Sequence, residues 1–108
     1  MSGSMDAAKE AVDRAMEAVM GAVPDVSRDL VTRLQLARNT LLENERKIWL
    51  RTKAGREMLD AFGGAASWLA EVAGSGSGPV EIEAALEDVE LHAAKIYEEI
   101  RRRSMVVT

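Results

Sequence analysis

The sequence predicts an all-α chain, a four-helix bundle in which three helices form a core and a long C-terminal helix follows a Gly/Ser linker. Spacing is the first sign. Ile82, Leu86, Val89, Ala93, Ile96 and Ile100 recur at alternating steps of four and three, which puts one apolar stripe on one side of a helix. Composition is the second. Apolar residues make up 47% of the 108 residues and aromatics only 4%, so the core is built from Leu, Val, Ile, Met and Ala. β-Branched residues are few outside the helical stripes, which argues against a sheet. Punctuation is the third: Pro24, Gly55 and Gly74-Ser75-Gly76-Ser77-Gly78 divide the chain into four segments, each with its own stripe. A chain of this length makes one domain with a modest core.

The opening residues 1–4, Met-Ser-Gly-Ser, resemble a cloning scar before a second start at Met5, and the expected fold begins after them. The first helix is expected from Met5 to Ala22, with Ser4 as N-cap and Asp6 adding negative charge at the positive pole. Its buried stripe is Ala8, Val12, Ala15, Met16, Val19 and Val23. Gly21 and Pro24 end it, because proline has no N–H and clashes with the preceding turn.

The second helix is expected to be the longest, from Ser27 to Lys53, capped by Asp25 or Ser27. Leu30, Leu34, Ala37, Leu41, Ile48 and Thr52 keep a 3.5-residue rhythm, and such a helix spans about 40 Å. Asn44 and Glu45 occupy the seam between Leu41 and Ile48. Polar residues there cost stability unless paired, and mark a register pin, a bend or a partner contact.

Arg51 and Lys53 before Gly55 read as a helix end. A third helix follows from about Arg56, with Met58, Leu59, Phe62, Ala65, Ala66, Leu69 and Val72 on its stripe. The stripe runs through Gly63-Gly64, which predicts a kinked or closely packed helix rather than a loop. Residues 5–73 form the helical domain. Residues 74–78 read as a flexible linker, with a natural loop and an engineered joint as the two origins. The last helix, 79–103, starts well, with Pro79 at the first position and Glu81 and Glu83 in the first turn. Arg101, Arg102 and Arg103 sit at its negative pole, and 104–108 is expected to fray.

The net charge is −4, but unevenly spread. Residues 26–56 hold eight basic side chains (Arg28, Arg33, Arg38, Arg46, Lys47, Arg51, Lys53, Arg56) against Asp29, Glu43 and Glu45, whereas residues 57–99 hold ten acidic ones and only Lys95. These regions can attract each other within the fold or attract a partner. There is no cysteine, so disulfide and thiolate chemistry are excluded. No apolar run approaches the ~20 residues of a membrane span, and no charged-then-apolar leader is present. The expectation is a cytoplasmic or nuclear protein with no membrane partner.

No catalytic pattern emerges. His92 is the single histidine, and Val89 stands where a Glu-x-x-His metal motif needs glutamate. Asp88 and His92 offer two ligands at most. Ser27 and Ser67 lack a strand-turn-helix elbow. Carboxylate pairs such as Glu87-Asp88 and Glu98-Glu99 do not converge on a point, and the glycine-rich run lacks the ending of a phosphate loop. No enzyme activity, cofactor or metal is expected.

The run Ala93-Ala94-Lys95-Ile96-Tyr97 before a charged end resembles the last helix of KIX-type activator-binding domains, and Asp29-Leu30-Val31 is similar to their first. The proline-bearing turn that the family places after its first helix is absent, and no residue role is transferred.

A noncatalytic protein–protein interaction module of a scaffold, adaptor or assembly remains, binding an amphipathic partner helix. The expected contact residues are Leu42, Asn44, Glu45, Arg46, Trp49 and Tyr97, since Trp and Tyr are common anchors. The alternatives are a partner helix, 79–103, tethered to a receptor of 5–73, nucleic-acid binding through 28–56, and self-association.

Overall fold

The computed structural model describes residues 3–22 and 27–106, with side chains described over 3–22 and 28–103. Four α-helices pack together and no strand occurs among the described residues. They are α1 (Gly3–Ala22), α2 (Ser27–Glu43), α3 (Lys53–Gly74) and α4 (Pro79–Val106), with a short 3₁₀ turn, Ile48–Arg51, between α2 and α3.

α1 packs against α3 and α2, and α4 packs against α3 and α2. The consecutive helices α2 and α3 therefore stand diagonally opposite. The ion pairs Lys9–Glu45 (3.1 Å) and Asp13–Arg38 (2.9 Å) run α1 and α2 antiparallel. α3 and α4 are antiparallel across a tight turn. Ser75 Oγ donates to the Val72 carbonyl at 3.0 Å, and Gly76 takes φ 81°, a conformation that favours glycine. The linker forms a turn at the end of an elongated bundle of 47 × 25 × 17 Å.

The expected stripes are the core. Val12, Leu34, Leu41, Phe62, Leu69, Ile82, Leu86, Val89 and Ile96 are almost wholly buried, and no polar or charged side chain is buried among the described residues. Met16, Met58 and Val72 lie half-buried against this core.

Several boundaries differ from expectation. α1 begins at Gly3, so Ser4 lies within its first turn instead of capping it, and Gly3 and Ser4 are helical. Val23 and Asp25 lie outside the described residues, and Ser27 is the first helical residue of α2. α2 is not the longest helix: it ends at Glu43, while α4 has 28 residues and α3 has 22. The two longest helices are therefore α4 and α3.

The break after Glu43 has a local cause. Asn44 Nδ2 donates to the Thr40 carbonyl at 2.8 Å, and the Asn44 N–H reaches the Leu41 carbonyl at 3.1 Å. Asparagine here satisfies the terminal carbonyls and closes the helix. Thr52, placed on the seam by its spacing, is the N-cap of α3; its hydroxyl accepts from the Gly55 N–H at 3.2 Å. Ile48, also expected on the seam, is 79% exposed. Gly55 does not end a helix but sits in the first turn of α3. A Cβ there would meet the Trp49 carbonyl oxygen at 2.3 Å and Leu50 Cα at 2.6 Å, so only glycine lets the 3₁₀ turn press this close.

α3 runs through Gly63-Gly64 without interruption. At Gly63 the helix faces α1, and a Cβ would stand 3.5 Å from Ala8 Cα, in ordinary contact. At the C-terminus the helix continues to Val106, past the point where fraying was expected.

Candidate interaction site

The structure does not gather the six expected contact residues into one surface. Glu45 and Arg46 line a cleft between the start of α1 and the start of α3. Glu45 is paired there with Lys9, which runs along the α1 side of the bundle. Trp49 lies half-buried in a hollow between α3 and α4, beside Met58, Ala61, His92 and Glu99. The Arg103 guanidinium covers its ring at 4.6 Å from the centroid, a cation–π contact within the fold. Leu42 and Asn44 are half-buried, with Asn44 spent on closing α2. Tyr97 stands apart on α4, half its surface exposed, over a groove between α2 and α4.

That groove is shallow and lined mostly by apolar side chains. Ala37 and Ala93, both buried, and Ala94 give it a shallow floor, while Leu36 (62% exposed) and Tyr97 (50% exposed) form its raised sides. Thr40 lines it too, with its hydroxyl turned inward to the Leu36 carbonyl at 3.1 Å. One end is closed by charge. Arg33 donates to Glu90 through Nε (3.1 Å) and Nη2 (2.7 Å), and to Glu83 through Nη1 (3.0 Å). The bidentate hydrogen bonds to Glu90 hold its guanidinium above the ordinary arginine value, against the opposing effect of burial, so it stays charged. Of the two raised sides, Tyr97 is among the contact residues expected from sequence and Leu36 is not. The available signal was a large aliphatic residue two positions beyond Leu34, on a face the stripe leaves to solvent.

The charge asymmetry is partly absorbed within the fold. Arg33 binds two carboxylates of the acidic half, and Arg38 is held by Asp13. Two of the eight cations of residues 26–56 are thereby removed from any nucleic-acid footprint on α2. At the far end of α4, Arg102 and Arg103 both meet Glu99. The Arg102 hydrogen bond, opposed by partial burial, keeps the Glu99 carboxyl below its ordinary value.

His92 Nδ1 lies 2.8 Å from the Asp88 carbonyl oxygen and 3.7 Å from the Asp88 carboxylate. No group of three or more His, Cys, Asp or Glu side chains is placed to hold a metal among the described residues, and no helix there is long and apolar enough to cross a membrane. No protein-family model, curated protein or solved structure matches the chain.

Proposed function

We propose that the protein is a noncatalytic interaction module that takes an amphipathic helix of a partner protein into the groove between α2 and α4. The observation that carries this reading is the pairing of Leu36 and Tyr97 across a floor of alanines. A helix offering apolar residues at i, i+3, i+4 and i+7 fits between such walls, and an aromatic anchor with a polar tip suits the rim of a contact. The Arg33–Glu83/Glu90 cluster would fix the direction in which the partner lies. Of the contact residues read from sequence, Tyr97 belongs to this site and Leu36 joins it.

Site-specific photocrosslinking in the source cell tests the proposal. A photoreactive residue at position 36 or 97 is expected to give one shared protein adduct, and the same residue at Trp68 or Val80, which are also exposed, is expected to give none. Adducts of equal yield at all four positions would point to nonspecific stickiness and remove the groove from consideration.

A second reading draws on α4. Residues 79–103 bury Ile82, Leu86, Val89, Ile96 and Ile100 against the other helices and join them only through the turn at 75–78, as a tethered partner helix would. Cleavage at an inserted protease site in that turn distinguishes the two. A C-terminal helix that leaves and rebinds, with residues 5–73 staying folded, supports the tether; collapse of residues 5–73 supports a native fourth helix.

A further inference from the structure

A second concavity lies at the opposite side of the bundle from the groove, where the first turn of α1, the 3₁₀ turn and the start of α3 meet. Its volume is about 610 Å³, within the roughly 300–1,000 Å³ of small-ligand sites. Arg46, Arg51 and Arg56 line it, over an aliphatic floor of Met5, Leu50 and Leu59. The same stretch of chain also holds Lys47 and Lys53, and neither lines the cleft.

None of the three guanidinium groups forms a hydrogen bond or ion pair with any described residue, unlike Arg33, Arg38, Arg101, Arg102 and Arg103. Glu45 lines the cleft but is already held by Lys9, and Asp6 on the rim has an interaction of its own. Three like charges around one hollow repel one another, and an anion seated among them relieves that repulsion.

We propose that this cleft binds a phosphate group, with Arg46, Arg51 and Arg56 as its ligands. Guanidinium is a planar fork that pairs bidentately with oxyanions, where ammonium is a point charge; the arginines face the cleft and the lysines do not. A phosphate monoester presents three acceptor oxygens and nearly two charges. It can engage three forks arriving from different directions, which the two coplanar oxygens of a carboxylate cannot. The phosphate belongs either to a soluble phosphorylated compound resting its carbon skeleton on Leu50 and Leu59, or to a lipid headgroup. Ile48 would enter the bilayer in the second case, since it is 79% exposed on the adjoining turn and apolar side chains beside cations favour anionic interfaces. This inference stands independently of the partner-helix groove.

The test uses the full chain and two probes. Inorganic phosphate is titrated at constant ionic strength while the arginine Nε–Hε resonances are followed by NMR, and flotation is measured with phosphatidylcholine vesicles with and without phosphatidic acid. Saturable shifts confined to Arg46, Arg51 and Arg56 support a soluble ligand. Flotation that needs phosphatidic acid and is lost in Ile48→Ala supports a headgroup. In the arm that binds, Arg46→Ala, Arg51→Ala and Arg56→Ala are each expected to weaken binding about tenfold or more, and Lys47→Ala and Lys53→Ala less than about twofold. All five positions are exposed, so folding is retained in each variant. The proposal is overturned if neither probe binds, or if the lysine variants lose as much as the arginine ones, since diffuse positive charge then explains the binding.

Discussion

The contact of α1 with α3 and the contact of α2 with α4 are built on opposite principles. The first is made of small residues. Ala8, Ala11 and Ala15 of α1, with Ala65, Ala66 and Gly63 of α3, let two backbones approach until a Cβ on Gly63 would touch Ala8. This is the most extensive contact in the molecule. The second meets through Leu34, Leu41, Val89 and Ile96 inside, an arginine bound to two glutamates at one end, and a groove outside. Small residues let α1 and α3 pack over much of their length, while α2 and α4 meet over fewer residues, with buried alanines flooring a furrow that the ion pair closes at one end.

The contrast breaks most visibly when each contact is given the other's defect. Leu34→Ala removes a fully buried side chain of α2 and is expected to cost about 2–5 kcal/mol by urea unfolding. A loss below about 1 kcal/mol would mean that α2 is dispensable to the core. Ala8→Leu adds bulk where no room exists and is expected to cost about 1–3 kcal/mol. A neutral result would show that α1 and α3 can separate freely, against the close approach described here.

Gly64→Ala sharpens the comparison from the opposite direction. Nothing lies within 4 Å of a Cβ at Gly64, in contrast to its neighbour, so alanine should stabilise by up to about 1 kcal/mol through helix propensity alone. Destabilisation would mean that the face of α3 at Gly64 is not open. The smallest effect is electrostatic. The folded state lowers the Glu99 carboxyl through Arg102 and Arg103, so its contribution is present above the unfolded value and lost as pH falls through the folded one. Wild type and Glu99→Gln should therefore differ slightly in melting temperature at neutral pH and converge in acid. A difference that grows on acidification would give the linkage the wrong sign.

Periodicity made most of the fold legible, because each stripe that must be buried repeats along its own helix. The C-terminal helix shows this best: all six of its stripe residues are core. What misled was the region between Glu43 and Lys53. Ile48 and Thr52 happen to continue the rhythm of α2, and no proline or glycine interrupts it. The stop is encoded instead in the side-chain hydrogen bond of Asn44 and the capping hydroxyl of Thr52, which periodicity does not register. Gly55 was equally ambiguous, since glycine after cations reads as an end, while here it serves a close contact at a beginning. The site suffered from the same break. A continuous helix would carry Leu42, Glu45 and Trp49 along one side, whereas the turn after Glu43 sends Trp49 to the α3–α4 hollow and Glu45 to the α1 side. Tyr97 lies on an uninterrupted helix, half exposed next to the buried Ile96.

Leu36 and Tyr97, the raised sides of the proposed groove, lie outside the buried core. The double variant Leu36→Ser, Tyr97→Ser separates partner binding from stability in one experiment: its unfolding free energy and the yield of crosslinked partner from a photoreactive residue at position 40 are measured together. Stability within about 1 kcal/mol of wild type with loss of the adduct is the predicted result. A loss of stability as large as that of Leu34→Ala, or an adduct that persists at full yield, would contradict it.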